Sequence, residues 1–427
     1  MISIGVFIVL IILLFMNVPI AVATALATLG GILLTNNLPL TILVQRMMVG
    51  IDSFTLLAIP LFILTGKLML LGGITNDLIF LSKSLVGFLR GGLAYVNVVA
   101  SMFFAGITGS AAADSSSIGA ILIPAMIKKG YEKDFTVAVT ATSSTIGVMI
   151  PPSIPMVIYG VSAGASIGKL FLGGFIPGIL VGLSLMIVSG ILAIKRGYPT
   201  EEKLALKEVF KAILHSIPPL MTIIIIIGGI IGGIFTPTEA AGVAVLYSFL
   251  LGVFYYKELN IKEIPKMILE VAVITGMVTL MIATASALGW LFASENIPLA
   301  IGNFLISITG NSYFMMLLLI NALLLFVGTW LDLSPAVIIF TPILLPIVTR
   351  LGMDPVHFGV IMVVNLAIGL FTPPVGVCLF VSCAIADIPI GDTVKAFIPF
   401  FISMVVVLLI ITYIPELVMF LPNLLMP

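Results

Sequence analysis

A pattern of glycines and prolines that occurs twice constrains this chain more than any other feature. Displaced by about 222 positions, the sequence matches itself without a gap. Gly106 falls on Gly328, Pro124 on Pro346, Gly130 on Gly352, and Ile146-Gly147 on Ile368-Gly369. Pro151-Pro152 falls on Pro373-Pro374, and Phe175-Ile176-Pro177 on Phe397-Ile398-Pro399. Glycine and proline restrict the backbone, so their recurrence in register means that one backbone shape is used twice. In each copy a Gly-rich polar tip precedes an apolar helix that is interrupted at Pro-Pro. Paired interrupted segments at corresponding places in two halves of a membrane chain point to a binding site.

The surroundings of that repeat are apolar. Of 427 residues, 61% are hydrophobic and 8% charged, with formal net charge zero. A soluble domain carries about a quarter charged residues, so this is an all-α polytopic membrane chain. Nothing in the charge pattern suggests nucleic acid or an acidic soluble partner. No soluble domain, P-loop, nucleophile elbow or metal triad occurs, which argues against an ATPase, an attached receptor or an intramembrane enzyme. Cys378 and Cys383 lie in an apolar helix and read as small filler rather than a disulfide.

In chain order, residues 2–35 read as two helices broken at Asn17-Val18-Pro19, the first retained rather than cleaved. A polar connection with Asn36, Asn37, Arg46 and Asp52 leads to a helix over 54–71 and an amphipathic interfacial helix over 75–88. Residues 91–127 suit a re-entrant hairpin, because polar residues 106–117 sit between apolar arms too short to cross. A helix over 135–164 breaks at 147–155, and a plain span covers 170–194. The charged stretch 195–215 joins the halves, with further spans at 217–235, 238–256 and 267–292 and an interfacial piece at 298–308. A second hairpin over 313–348 has its tip at 328–334. The second broken helix covers 358–386 with its interruption at 369–376, and a last span runs over 397–420. By domain, 1–90 and 217–308 are expected to be scaffold, 195–216 a linker, and 91–194 and 309–427 the two repeats with their flanking spans.

With Lys128-Lys129 in the cytoplasm, five crossings place Arg350 outside. All of the 18 basic residues except Arg46, Lys169 and Arg350 then face or adjoin the cytoplasm. The repeats are therefore expected to be inverted.

A hairpin tip beside an unwound helix offers carbonyl and hydroxyl oxygens that suit a hard cation such as Na⁺, and in lipid such breaks persist only against protein, water or a ligand. The first copy supplies Thr108, Ser110, Ser143, Ser144, Thr145 and the Gly147 region; the second supplies Thr329, Asp332, Asn365, Thr372 and the Gly369 region. Asp114 and Asp332 are intramembrane carboxylates and hence functional candidates, although a structural role as cap or strut is open to either. They are not repeat equivalents, since Asp332 aligns with Ser110. Glu239, after Thr236-Pro237-Thr238, reads as a helix-start carboxylate. His215 and His357 read as interfacial, Trp290 as an interface anchor and Trp330 as a wall of the second tip.

The stretch Gly106-Ile107-Thr108-Gly109-Ser110-Ala111-Ala112-Ala113-Asp114, with Ile121-Leu122-Ile123-Pro124, resembles the large membrane subunit (DctM type) of TRAP, or tripartite ATP-independent periplasmic, transporters. Ile150-Pro151-Pro152-Ser153-Ile154-Pro155, Phe235-Thr236-Pro237-Thr238-Glu239 and Thr372-Pro373-Pro374-Val375-Gly376 match the same family, and length and span order match throughout. The resemblance implies Na⁺-coupled uptake of an organic acid such as a dicarboxylate or sialic acid across the bacterial inner membrane. It also implies an elevator fold, a separate small four-helix membrane subunit and a periplasmic substrate-binding protein. Carried onto this chain, it gives substrate candidates Thr108, Ser110, Asp114, Ser153 and Asp332. The sodium candidates are Ser110, Ser143, Gly147, Pro151, Gly328, Asp332, Asn365, Gly369 and Thr372. The family tip commonly has Ser where Thr108 stands, which keeps the hydroxyl. A proton-coupled organic-anion carrier or antiporter of the same superfamily is the alternative.

Overall fold

The computed structural model describes residues 2–16, 18–35, 38–200, 203–310 and 312–426. Asn17, Asn36 and Asn37 lie outside the described residues. The two opening helices are α1 (Ile2–Phe15) and α2 (Ile20–Leu34). A third, α3 (Thr41–Ile51), replaces the expected polar connection. The reason is tertiary: the Arg46 guanidinium lies 4.7 Å from the Trp290 ring centroid, and a β-carbon at Gly50 would stand 2.6 Å from Ser286 Oγ. Arg46 thus closes a helix–helix contact rather than marking a loop, and Trp290 is its stacking partner. Next come α4 (Ala58–Leu71) and α5 (Ile74–Val86), close to the helices expected there.

The first repeat is α6 (Gly92–Thr108), α7 (Ala111–Lys128), α8 (Lys133–Ser144) and α9 (Ile154–Ala163), followed by the span α10 (Ile167–Lys195). Between the copies lie α11 (Leu206–Ile231), α12 (Pro237–Leu250), α13 (Ile264–Ser294) and α14 (Ile297–Thr309). The helix expected from Ile217 therefore begins at Leu206, inside the stretch read as a linker. The end of the next span widens into a π-helical turn over Leu251–Tyr256. At the start of α12 Thr236 and Glu239 form a reciprocal capping box, the helix-start role expected of Glu239. The second repeat is α15 (Tyr313–Trp330), α16 (Leu333–Arg350), α17 (Pro355–Gly369) and α18 (Val377–Ala386), and after it α19 (Ile390–Tyr413) and α20 (Glu416–Leu425). The last expected span is thus two helices parted at Ile414-Pro415, and α20 folds back on α10, where Gly173 meets Val418. Among the described residues, eight helices are long and apolar enough to cross a membrane.

Cross-links fix the two ends of the molecule. Arg196, just past α10, donates to both Asp134 carboxylate oxygens (2.8 and 3.0 Å) and to Glu132 at the start of α8. The Asp134 hydrogen bonds raise the guanidinium still further above its ordinary range. Lys133 Nζ donates to the Asp387 carbonyl beyond α18 (3.1 Å), and Gly91 N to the Pro199 carbonyl (3.0 Å). The open end of the α6–α7 pair, the start of α8 and the ends of α10 and α18 therefore share one basic end. At the other end the Tyr159 hydroxyl, near the end of α9, donates to the Pro355 carbonyl at the start of α17 (2.7 Å). The α15–α16 pair closes into that end through Arg350. The open end of the α6–α7 pair and the start of α17 are thus tied down by separate sets of contacts.

His357 departs from expectation. It is 2% exposed, and its Nε2 lies 2.8 Å from the Ile411 carbonyl, so it ties α17 to α19 rather than facing an interface. His215 is exposed on α11, as an interfacial residue should be. Cys378 and Cys383 are both free and buried.

Candidate functional site

Each helix pair stops at the depth of its own broken helix. In the first copy α8 ends at Ser144, a 3₁₀ turn covers Thr145–Val148, and the chain runs irregularly to α9. The α6–α7 turn rests on that break. Ile154 N points at the Gly109 carbonyl (3.4 Å), and a β-carbon at Gly109, which has φ +60, would stand 2.7 Å from the Pro152 carbonyl. Only glycine can occupy that position, because left-handed backbone and close approach coincide there. In the second copy Val375 N donates to the Thr329 carbonyl (3.2 Å), and Gly328 lies directly on Gly369. Both Pro-Pro bonds, Pro151-Pro152 and Pro373-Pro374, are cis.

The first tip is closed. Ser110 caps α7 by accepting from Ala113 N (3.4 Å), and Thr108 is 3% exposed. Asp114, one turn into α7, is fully buried. Its Oδ1 accepts a long hydrogen bond from the Thr108 hydroxyl (3.5 Å), while its Oδ2 has no partner among the described residues. A β-carbon at Gly147 would stand 3.3 Å from that oxygen, so the glycine of the break borders the unsatisfied atom. A buried carboxylate oxygen left unpaired is costly, and it calls for a cation or a proton. Ser115 Oγ, the next side chain, is likewise buried and unpartnered. Pro151 and Ser153 are buried behind the tip. The Ser153 hydroxyl is engaged with the Val148 carbonyl (2.6 Å) and the Met156 amide (3.3 Å), so it braces the break internally.

The second tip is open. Asp332 initiates α16 without a side-chain capping bond and is exposed, as are Trp330, Pro373 and Pro374, and Thr372 is half-buried. The Thr372 hydroxyl bonds back to the Ile368 carbonyl. Trp330 forms the last residue of α15 beside this opening, the position expected for a wall of the second tip. Gly328 and Gly369 supply backbone rather than side chain there.

Below each break runs a polar network that sequence reading located only on one side. Ser143 donates to Asn97 Oδ1 (3.1 Å) and accepts from Ser101 (3.2 Å), and Asn97 Nδ2 donates to Thr140 (2.7 Å). At the position equivalent to Ser143, Asn365 Nδ2 donates to Asn321 Oδ1 (2.8 Å) and to its carbonyl (3.0 Å), and Asn321 reaches Thr412 (3.2 Å). Asn365 Oδ1 is buried with no partner among the described residues. Asn97, Ser101 and Asn321 belong to these networks although no motif of the sequence includes them. Their signal was an amide or hydroxyl within an otherwise apolar arm, which lipid does not tolerate without a partner.

The two sites approach each other. Cys378, in the first turn of α18, lies beside Ser115 of α7. α18 of the second copy thus packs against α7 of the first, the helix that carries Asp114. On the opposite flank Gly66 of α4 touches the first tip, where a β-carbon would stand 3.2 Å from Thr108 Cα and its carbonyl oxygen.

Residues 7–417 match the family model for the DctM component of the tripartite ATP-independent periplasmic transporter. The chain belongs to the DctM family. It is 40% identical to the sialic acid TRAP transporter large permease protein SiaM of Vibrio cholerae, over 96% of both chains. It is 44% identical to the isethionate TRAP transporter permease protein DctMQ of Oleidesulfovibrio alaskensis, over 95% of this chain and 64% of that longer relative. Among solved structures, the YdaH transporter of Alcanivorax borkumensis shares the fold with a TM-score of 0.62 at 12% identity, covering 87% of this chain and 86% of that one. A DctM permease is a multi-pass membrane component of a transporter and not an enzyme, so the missing nucleophile and metal sets need no further explanation.

Proposed function

We propose that this DctM chain is the large membrane subunit of a Na⁺-coupled importer of a small organic acid, working by an elevator motion. The observation that carries the coupling is the buried, unpartnered Asp114 Oδ2 beside Gly147, at the junction of a polar tip and an interrupted helix. A carboxylate oxygen, backbone carbonyls freed at the break and nearby hydroxyls form a donor set that fits Na⁺. The second copy offers Asp332, Thr372, Asn365 and the Gly328–Gly369 backbone for a further ion. Residues Ser110, Ser143, Gly147 and Pro151 would frame the first. The α6–α7 and α15–α16 pairs act as re-entrant hairpins and, with their broken helices, form the moving body. The helices α1–α5 and α11–α14 form the scaffold that it slides against.

Isethionate and sialic acid, for which the relatives are named, are both organic anions, and that class is assigned here to the substrate. An anion would be held by the hydroxyls of Thr108 and Ser110 and by the amide ends of α7 and α16, where helix N-termini favour negative charge. Ser153 would act by bracing the break, and Asp332 by holding the ion that neutralises the substrate. As in TRAP systems generally, a small four-helix membrane subunit and a periplasmic binding protein complete the importer, seated in the bacterial inner membrane.

Uptake into proteoliposomes holding the chain, its small partner and the binding protein tests this reading. Uptake is expected to follow an inward Na⁺ gradient and to stop when K⁺ replaces Na⁺. Uptake that ignores this exchange and follows a proton gradient instead would assign the unpaired Asp114 oxygen to a proton.

A further inference from the structure

We infer that the first three turns of α11, backed by α5, form a binding surface for anionic phospholipid on the cytoplasmic leaflet. The inference rests on the orientation expected from the basic residues, with Lys128-Lys129 in the cytoplasm, and not on Na⁺ coupling. α11 has 26 residues. At 1.5 Å per residue it is about 39 Å long, against about 30 Å of hydrocarbon, so one end must stand in the headgroup layer. The Leu206 end is the one that carries charge, and it stands beside the basic end defined by Arg90, Arg196 and Lys133.

The surface of these turns is divided three ways. Ala212 and Ser216 are buried, and the Ser216 hydroxyl donates to the Asp77 carbonyl of α5 (3.2 Å), which fixes the inner face. Leu206, Phe210, Leu214 and Ile217 recur at helical spacing and are exposed, Leu206 by 90% and Phe210 by 63%. Beside that stripe, Lys207 and Lys211 are exposed one turn apart and have no ion-pair partner among the described residues. Glu208 is the one carboxylate of α11. Just before the helix the Lys203 ammonium lies 5.1 Å from the ring centroid of Phe88, itself exposed. A soluble protein does not leave such a stripe bare, and a partner helix alone would not need lysines along its margin. Apolar and basic stripes side by side fit a helix that presents side chains to acyl chains and ammonium groups to phosphates at the same depth.

The test is made on the full chain in phosphatidylcholine vesicles of fixed composition. Spin-labelled phosphatidylglycerol or phosphatidylcholine is added in trace amount, and the motionally restricted fraction is read. Phosphatidylglycerol is expected to be restricted in excess of phosphatidylcholine. The Lys207→Gln/Lys211→Gln variant is expected to lower that excess by about threefold or more, whereas Lys207→Arg/Lys211→Arg retains it. Both lysines are exposed, so the variants keep the fold, which an unchanged Tm verifies. Equal restriction of the two lipids, or an excess untouched by the glutamine pair, would overturn the inference. So would an excess erased by adding the small subunit, because the face would then belong to that partner.

Discussion

Asp332→Ala is expected to abolish uptake while leaving the folded complex intact. The two halves of that expectation have separate physical grounds. Asp332 is exposed and makes no side-chain capping bond, so its removal falls in the class of surface changes that alter stability by about 0.5 kcal/mol or less. Its position is another matter. It begins α16 at the open tip, beside Trp330 and the exposed Pro373-Pro374. A carboxylate at an open tip with no capping bond is placed to bind rather than to brace. Initial uptake rates at saturating substrate, with Tm measured on the same sample, check both halves. Near-normal uptake by the variant would return Asp332 to a merely structural role.

The second large effect is steric, and it separates two glycines that face each other. A β-carbon at Gly369 would run into the Gly328 carbonyl, with Gly328 Cα 2.8 Å away, and these are backbone atoms that cannot swing aside. A β-carbon at Gly328 would meet its nearest neighbours, Gly369 Cα and a Leu366 methyl, at 3.5 Å, an ordinary contact. Gly369→Ala is therefore expected to force the second tip off its break, costing about 1–3 kcal/mol of stability and nearly all uptake. Gly328→Ala should leave both close to wild type, although the sequence pattern treats the two glycines alike. Equal behaviour of the two variants would mean that the tip does not rest on the break.

Backbone devices were the part of this fold most legible in the sequence. Gly106, Gly147, Pro151-Pro152 and their counterparts announced two tips and two breaks, and the elements stand at those positions because glycine and proline act locally. What the sequence hid depends on partners far along the chain. Arg46 looked like a loop residue until Trp290, on a helix more than two hundred positions away, gave it a stacking surface. His357 looked interfacial because its acceptor, the Ile411 carbonyl, belongs to a later helix. The end of the last span was hidden by composition, since the residues flanking Ile414-Pro415 are as apolar as a continuous helix would be. At the site, Ser143 and Asn365 were visible as polar residues near the breaks, but their partners Asn97, Ser101 and Asn321 were not, because hydrogen-bond pairing across helices leaves no local spacing rule. The asymmetry between a buried first tip and an open second one has the same origin. It is set by packing of α4 and α18 around Thr108 and Ser115, which no repeat pattern encodes.

Thermal unfolding of the purified chain in Na⁺ against K⁺ at constant ionic strength tests directly whether the tip–break junctions bind Na⁺. A ion bound only by the folded state stabilises it by RT ln(1 + [L]/Kd), about 2.7 kcal/mol at a hundred times Kd. Tm is expected to rise with Na⁺, not to rise with K⁺, and to lose its Na⁺ dependence in Asp114→Asn. A Tm that is the same in both salts across the titration would contradict it.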